Sequence, residues 1–392
     1  MSLSSFRHAV PGLRVYYGND CLDQLAAEMR RLGRRRAVIF SGRTLANADP
    51  GVRTLQAALG ELCAGTFNAV AEHSPIPSVL AAVETLRRLD ADAVVALGGG
   101  SAVVTARAAT ILLGENKDVR ELCTRFVPGQ APVSPKLVAP KLPQFLVPTT
   151  PTTACSRAGA AVLDPERGQR LSLFDPKARP EAIFFHPGLF SAAPAKVAMD
   201  ASLNAFTMAI QGLESARREP LADAMLLHAI RLMRRRLPEL AQPASSADGR
   251  GELMLAGLLA GQGTDYTGLG LAAALGHSIG ARFSVGNGLV NAIVLPHTVR
   301  FNGPATGDRL EDALAALRAP IDETPDHPAQ GVSRSCSRLF EQLGIPQRLR
   351  DVGVGKSDLP QIAEDVKGDW FLSQNPRGVE QPDLLALLSA AW

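Results

Sequence analysis

Apolar positions follow two different patterns along this chain. In the first half, short continuous apolar runs alternate with stretches of helical spacing. Ala37–Phe40 (AVIF), Ala93–Leu97 (AVVAL) and Phe145–Val147 (FLV) read as strands, and unbroken runs of this kind suit strands buried on both faces. Between them, Val79, Leu80, Val83, Leu86 and Leu89 recur at helical spacing, with Ser78 the expected N-cap after Pro77. A second helix is expected from about Ala102 to Leu113, and residues 114–143 read as a helix followed by an exposed loop. Strands alternating with helices predict a parallel α/β sheet.

From about Pro187 the pattern becomes long Ala/Leu-rich helical segments, at Ala195–Glu214, Leu221–Leu237, Gly251–Leu259 and Gly270–Arg282. The polar, proline-containing stretch from about Asp322 to Ser335 is expected to be a loop. The predicted organisation is an N-terminal dinucleotide-binding α/β domain with a parallel sheet (1–185) and an all-α helical C-terminal domain (186–392).

With 392 residues, 46% of them hydrophobic, the chain can bury one large core or two ordinary ones. The formal net charge is only +3, so no nucleic-acid footprint is demanded, and the runs Arg34–Arg36 and Arg234–Arg236 read as solvated helix faces. The five cysteines have no CxxC spacing and cannot all pair, which argues for a reducing compartment. No apolar stretch approaches the roughly 20 residues needed to span a bilayer. A cytoplasmic protein with no membrane partner is expected.

Two strand ends carry candidate chemistry. The run Ala93–Leu97 feeds directly into Gly98, Gly99, Gly100 and Ser101 and then into a helix. Glycines let a phosphate approach the backbone, and a helix N-terminus offers unpaired N–H groups and positive dipole charge. The spacing is not GxGxxG. The second strand end, Pro148-Thr149-Thr150, puts hydroxyls at the sheet edge where ligands of open parallel sheets bind.

Four segments in order, AVVALGGGS, FLVPTT, SLNAFTMAIQGLES and GLGLAAALGHSIGARFSVGNGLVNAIVLPHTVRFN, together resemble the iron-containing (group III) alcohol dehydrogenases and their maleylacetate reductase branch. The resemblance implies a dehydroquinate synthase-like architecture, with the active site in the cleft between the two domains. It implies that Gly98, Gly99, Gly100 and Ser101 bind the pyrophosphate and that Thr149 and Thr150 contact the cofactor. This chain departs from the family at Val104 (usually Asp), at Arg107 (usually Lys) and in Pro151–Ser156, which lacks the usual glycines of the loop facing the nicotinamide. NAD-preferring members often carry Asp where Gly42 stands here. Gly42 would not repel a 2′-phosphate and Arg43 would pair with it, so NADP or NAD is the expected cofactor.

The resemblance also implies a divalent metal held by one Asp and three His. The matching positions here are Asn204, Met208, Ala273 and Asn287, none a good ligand for such an ion, and Asp200 in an alternative register would add only one carboxylate. No metal is therefore expected. His277 is retained where the family places a proton-relay His, with Asn204 and Asn287 as neutral donors for a developing oxyanion. Tyr266 and Asp265 are weaker candidates, and no role is read for His73 or the other histidines. The implied activity is a metal-independent NAD(P)-dependent oxidoreductase acting on a hydroxyl or carbonyl group. Its substrate would be a small molecule or a peptide, as in the oxidative decarboxylation of a C-terminal Thr in daptide-type pathways. Alternatives are a maleylacetate reductase-like keto-acid reductase, a non-catalytic dinucleotide-binding scaffold, and a metal-dependent dehydratase or synthase on a related fold, which the missing ligands oppose. A homodimer, or a larger tailoring complex, is the expected assembly.

Overall fold

The computed structural model describes residues 6–48, 50–126, 132–242, 246–317 and 327–392, with backbone only at Ala281. Among the described residues eight strands form: β1 (Arg14–Tyr17), β2 (Ala37–Phe40), β3 (Cys63–Phe67), β4 (Ala93–Gly98), β5 (Gln144–Pro148), β6 (Gly159–Asp164), β7 (Gln169–Phe174) and β8 (Ala182–Phe185). Six of them make one parallel sheet in the order β1-β8-β5-β4-β2-β3, while β6 and β7 pair as an antiparallel ribbon.

The continuous apolar runs are explained by burial on both faces. Val38, Phe40, Val94, Ala96, Leu146, Ile183 and Phe185 join one core, with Val79, Val83 and Leu86 of the Ile76–Arg88 helix and Val103, Ala106 and Ile111 of the Gly100–Glu115 helix. Their neighbours Ala37, Ile39, Ala93, Val95, Phe145, Val147 and Phe184 join the other core, with Leu25, Met29, Val52, Leu55 and Leu59. Successive residues go to opposite faces because side chains alternate along a strand.

Several local expectations are corrected. The Ile76–Arg88 helix starts two residues before Ser78, with Pro75 at the N-cap and Pro77 in the first turn, where a missing N–H costs nothing. The Ser78 hydroxyl instead donates to the Ala69 carbonyl at 3.0 Å. The stretch after Glu115 is more anchored than an exposed loop. Lys141, with its side chain fully buried, lies 2.7 Å from Glu115 and 3.0 Å from Asp175. Within the expected 322–335 loop, residues 322–326 lie outside those described. From Pro328 onward the chain is a helix, Pro328–Gln342. Proline suits its first turn, His327 Nδ1 accepts the Ala329 N–H at 3.1 Å, and Ala329, Val332, Cys336, Leu339 and Phe340 form the buried stripe.

The described residues gather into two compact units. One contains 13–202 and 239–258, the other 6–12, 203–238 and 259–392. Helical segments occur in both: Leu189, Phe190, Met254 and Leu258 complete the cores of the sheet. The second unit is helical, with Leu271–Phe283, Asn287–Thr306, Pro328–Gln342, Leu359–Val366 and Gln381–Ala391 among its helices. Among the described residues, no helix is long and apolar enough to cross a membrane.

Candidate functional site

In the sheet unit, parallel register aligns Gly98 of β4 with Pro148 of β5, and the Thr149 N–H donates to the Gly98 carbonyl at 3.0 Å. The two sequence motifs therefore meet at one sheet edge. Gly98 has φ +143°, a conformation that disfavours other residues. A Cβ on Gly99 would come within 2.9 Å of Thr150 Oγ1, and one on Gly100 within 3.3 Å of Thr152 Oγ1. Gly99 caps the Gly100–Glu115 helix with no side-chain hydrogen bond, and among the described residues the Gly100 and Ser101 N–H groups find no acceptor. Open first-turn donors beside buried threonine hydroxyls fit an anionic pyrophosphate.

Ser101 has a second engagement that its sequence did not suggest. Its Oγ accepts the His73 N–H at 3.1 Å, and its carbonyl accepts the Ser74 hydroxyl at 3.1 Å. His73 (φ 63°) and Ser74 (φ 50°) are both left-handed, and Arg170 holds His73 through its carbonyl (3.1 Å) and Nδ1 (2.7 Å). Gly42 and Arg43 follow β2, which pairs with β4. A Cβ on Gly42 would meet only Val70 O, at 3.7 Å, and the exposed Arg43 side chain has no protein partner among the described residues.

Arg107, where the resemblance places Lys, is fully buried. It donates to the carbonyls of Ala178 (3.2 Å), Gly159 (3.0 Å) and Ala154 (2.9 Å). Thr152 caps the turn Thr153–Ser156, and Gly257 lets its helix backbone approach Pro151 and Thr152.

In the helical unit, the Leu271–Phe283 helix carries Ala273, Gly276, His277 and Gly280. The Gln211 side chain anchors its start, accepting the N–H groups of Gly270 and Ala273 at 3.1 Å each. Gly276 makes room for Asn291, since any Cβ there would overlap that side chain. Asn291 is oriented by its neighbours. Its amide nitrogen donates to the carbonyls of Ala272 (2.8 Å) and Asn287 (3.3 Å), and its oxygen accepts from the Asn204 amide at 2.8 Å once that amide is turned to present its nitrogen. The far end of the Asn204 amide lies 4.0 Å from Met208 Sδ. Asn287 turns Oδ1 against Gly280, where it is buried without a hydrogen-bond partner.

The structure thus joins the Asn204 side chain to Asn291, a residue with no local sequence signal, while the Asn287 side chain turns away toward Gly280 and only its backbone carbonyl meets Asn291. His277 is held separately: Nδ1 lies 2.8 Å from Asp369 Oδ2, and the rings of Trp370 and Phe371 flank the imidazole, each centroid 5.0 Å away. Tyr266 serves the N-terminal segment, stacking on His8 at 3.9 Å and donating its hydroxyl to the Ala9 carbonyl.

A divalent cation does not fit this donor set. The relevant side chains are two neutral amides, a thioether and a methyl group, and the described residues contain no group of three or more His, Cys, Asp or Glu able to hold a metal ion.

A parallel sheet with a glycine–threonine turn at its strand ends, followed in sequence by a helical unit, defines an α/β protein of two compact units. Residues 12–187 match the family described as iron-containing alcohol dehydrogenase, and 198–392 match the Fe-containing alcohol dehydrogenase family, C-terminal. The chain belongs to the iron-containing alcohol dehydrogenase family of oxidoreductases. It is 28% identical over 383 residues to the lactaldehyde reductase of Escherichia coli, covering 96% of this chain and 97% of that protein. It is 28% identical over 393 residues to a maleylacetate reductase of Rhizobium sp., covering 100% and 98%. The crystal structure of that Rhizobium enzyme matches with a TM-score of 0.80 at 25% identity, covering 100% of this chain and 99% of that one. The fold also matches a sulfoacetaldehyde reductase from Bifidobacterium kashiwanohense in complex with NAD+, with a TM-score of 0.83 at 17% identity and 99% of each chain covered.

Proposed function

We propose that this chain is an NAD(P)-dependent oxidoreductase that interconverts a hydroxyl and a carbonyl group without a bound metal ion. The observation that carries the reading is the Asn204–Asn291 amide pair beside Met208, where the family resemblance expects charged or imidazole ligands. Residues Gly98–Ser101, Thr149 and Thr150 would hold the dinucleotide through the open N–H groups of the first helical turn. The unpaired Arg43 beside Gly42 would receive a 2′-phosphate, so NADP is accepted as well as NAD.

A bound nicotinamide would supply hydride exchange at the carbon that bears the oxygen. His277 moves the proton. Its Nδ1 is committed to Asp369, and Nε2, bonded to no described residue, takes the hydroxyl proton in oxidation and returns it in reduction. Asn287, and Asn204 through the N–H that Asn291 does not take, would supply neutral amide donors for the developing oxyanion. Such donors stabilise it less than a cation, which contributes several kcal/mol. Activated substrates are therefore favoured, such as a keto acid. A β-hydroxy acid, free or as the C-terminal Thr of a peptide, is equally suited, because its oxidation gives a β-keto acid that loses CO2.

The test is elemental analysis of purified protein together with reduced-cofactor fluorescence and a panel of hydroxy and keto acids, with and without chelator. Turnover unaffected by chelation in metal-free protein is the expected result. Stoichiometric iron or zinc with chelator-sensitive turnover would overturn the reading, and cofactor binding without turnover on any substrate would favour the scaffold alternative.

A further inference from the structure

We propose that Asp369 is a positioning residue that fixes the tautomer and orientation of His277, an inference that rests on the reading of His277 as the proton carrier. The two carboxylate oxygens have separate duties. Oδ2 faces His277 Nδ1 at 2.8 Å, and Oδ1 accepts the Phe371 N–H at 2.8 Å, capping the turn Trp370–Gln374. The Asp369 side chain is only 8% exposed and that of His277 12% exposed. The carboxylate is therefore pinned by its own turn before it meets the imidazole.

The same turn grips the start of the helix that carries His277. Gln374 Oε1 accepts the Leu269 N–H at 3.2 Å, and Asn375 Oδ1 accepts the Leu271 N–H at 3.1 Å. Trp370 and Phe371, projecting from the turn, limit rotation of the ring. One short segment thus registers helix, ring plane and ring edge together.

The chemistry follows from donor counting. An ionised carboxylate only accepts, so the neutral imidazole must carry its hydrogen on Nδ1. Nε2 then holds the free lone pair that proton abstraction requires. Asp369→Asn keeps an oxygen for the Phe371 N–H but turns an N–H donor toward Nδ1, which favours the opposite tautomer.

The experiment reads the imidazole 15N shifts of His277 in the cofactor-free full chain at alkaline pH, alongside steady-state kinetics. In the unmodified protein we expect the Nδ1–H form, and in Asp369→Asn the Nε2–H form. The variant's kcat should fall at least about 10²-fold with cofactor affinity unchanged within about twofold. Adding His277→Ala to Asp369→Asn should then cost nothing beyond His277→Ala alone. An Nε2–H tautomer in the unmodified protein, or an unchanged tautomer in the variant, overturns the inference without requiring any kinetic result. A tautomer that switches while both variants keep full turnover supports the positioning role and sinks the functional reading of His277.

Discussion

The strand-end cradle around Gly98–Ser101 and the polar cluster around Asn204 are built from different kinds of atom. In the cradle, the groups that would meet a ligand are backbone N–H donors, and the side chains mainly keep out of the way. Val104, Arg107 and the altered Pro151–Ser156 run change the neighbourhood without removing those donors. In the cluster every donor is a side chain, so each replacement changes the chemistry. Asn at 204 leaves a neutral amide that its neighbour Asn291 satisfies, and Met at 208 leaves a thioether. A site made of main chain tolerates drift, whereas one made of side chains acquires a different character with each substitution.

The contrast can be broken at either region. The largest effect is expected from His277→Ala, which should lower kcat by about 10² to 10⁴-fold while the fluorescence-measured cofactor Kd stays within about twofold. Loss of cofactor binding instead would mean that the two regions do not have separate duties. Next, Gly99→Val places a branched side chain against Thr150 Oγ1 and should weaken cofactor binding at least about tenfold. Unaltered titration curves would remove the cradle from cofactor binding. Arg43→Ala should weaken NADP alone by about tenfold or less, read by competing the two cofactors, and equal losses for NAD and NADP would count against a phosphate contact.

The smallest effect concerns stability. Glu214 is buried in the helical unit beside Asn302, and burial pushes its carboxyl from 4.5 up to about 8. Between those values the folded chain keeps a proton that the unfolded chain has released, so stability declines as pH rises through this window. Below it the carboxyl is protonated in both states. Glu214→Gln should therefore flatten the fall in Tm between about pH 5 and pH 8, as followed by thermal unfolding. Parallel curves for the two proteins would contradict this linkage.

The features that were legible in sequence are those whose cause is local. The runs Ala37–Phe40 and Ala93–Leu97 declare strands covered on both faces, and Gly98–Ser101 declares a tight turn into a helix. Strand β1 was not legible, because RVYY has one residue half-buried and three exposed, and neither was β3, where CAGTF mixes small and polar residues. The β6–β7 ribbon alternates only weakly in polarity along β7. Pro328 suggested a loop because proline breaks helices internally, whereas here it opens one. Asp369 carries no local signal at all: it meets His277 across 92 residues of chain. Asn291 was hidden for a related reason, since its importance lies in the gap left by Gly276 on another helix.

The buried Arg107 has a consequence for how the sheet unit assembles. Its three carbonyl partners lie 71, 52 and 47 residues further along the chain. A guanidinium cannot shed its charge to enter a dry interior, so in the folded chain these carbonyl acceptors replace its hydration. The ribbon, the turn before β8 and the segment after β5 are therefore tied together through one buried charged side chain.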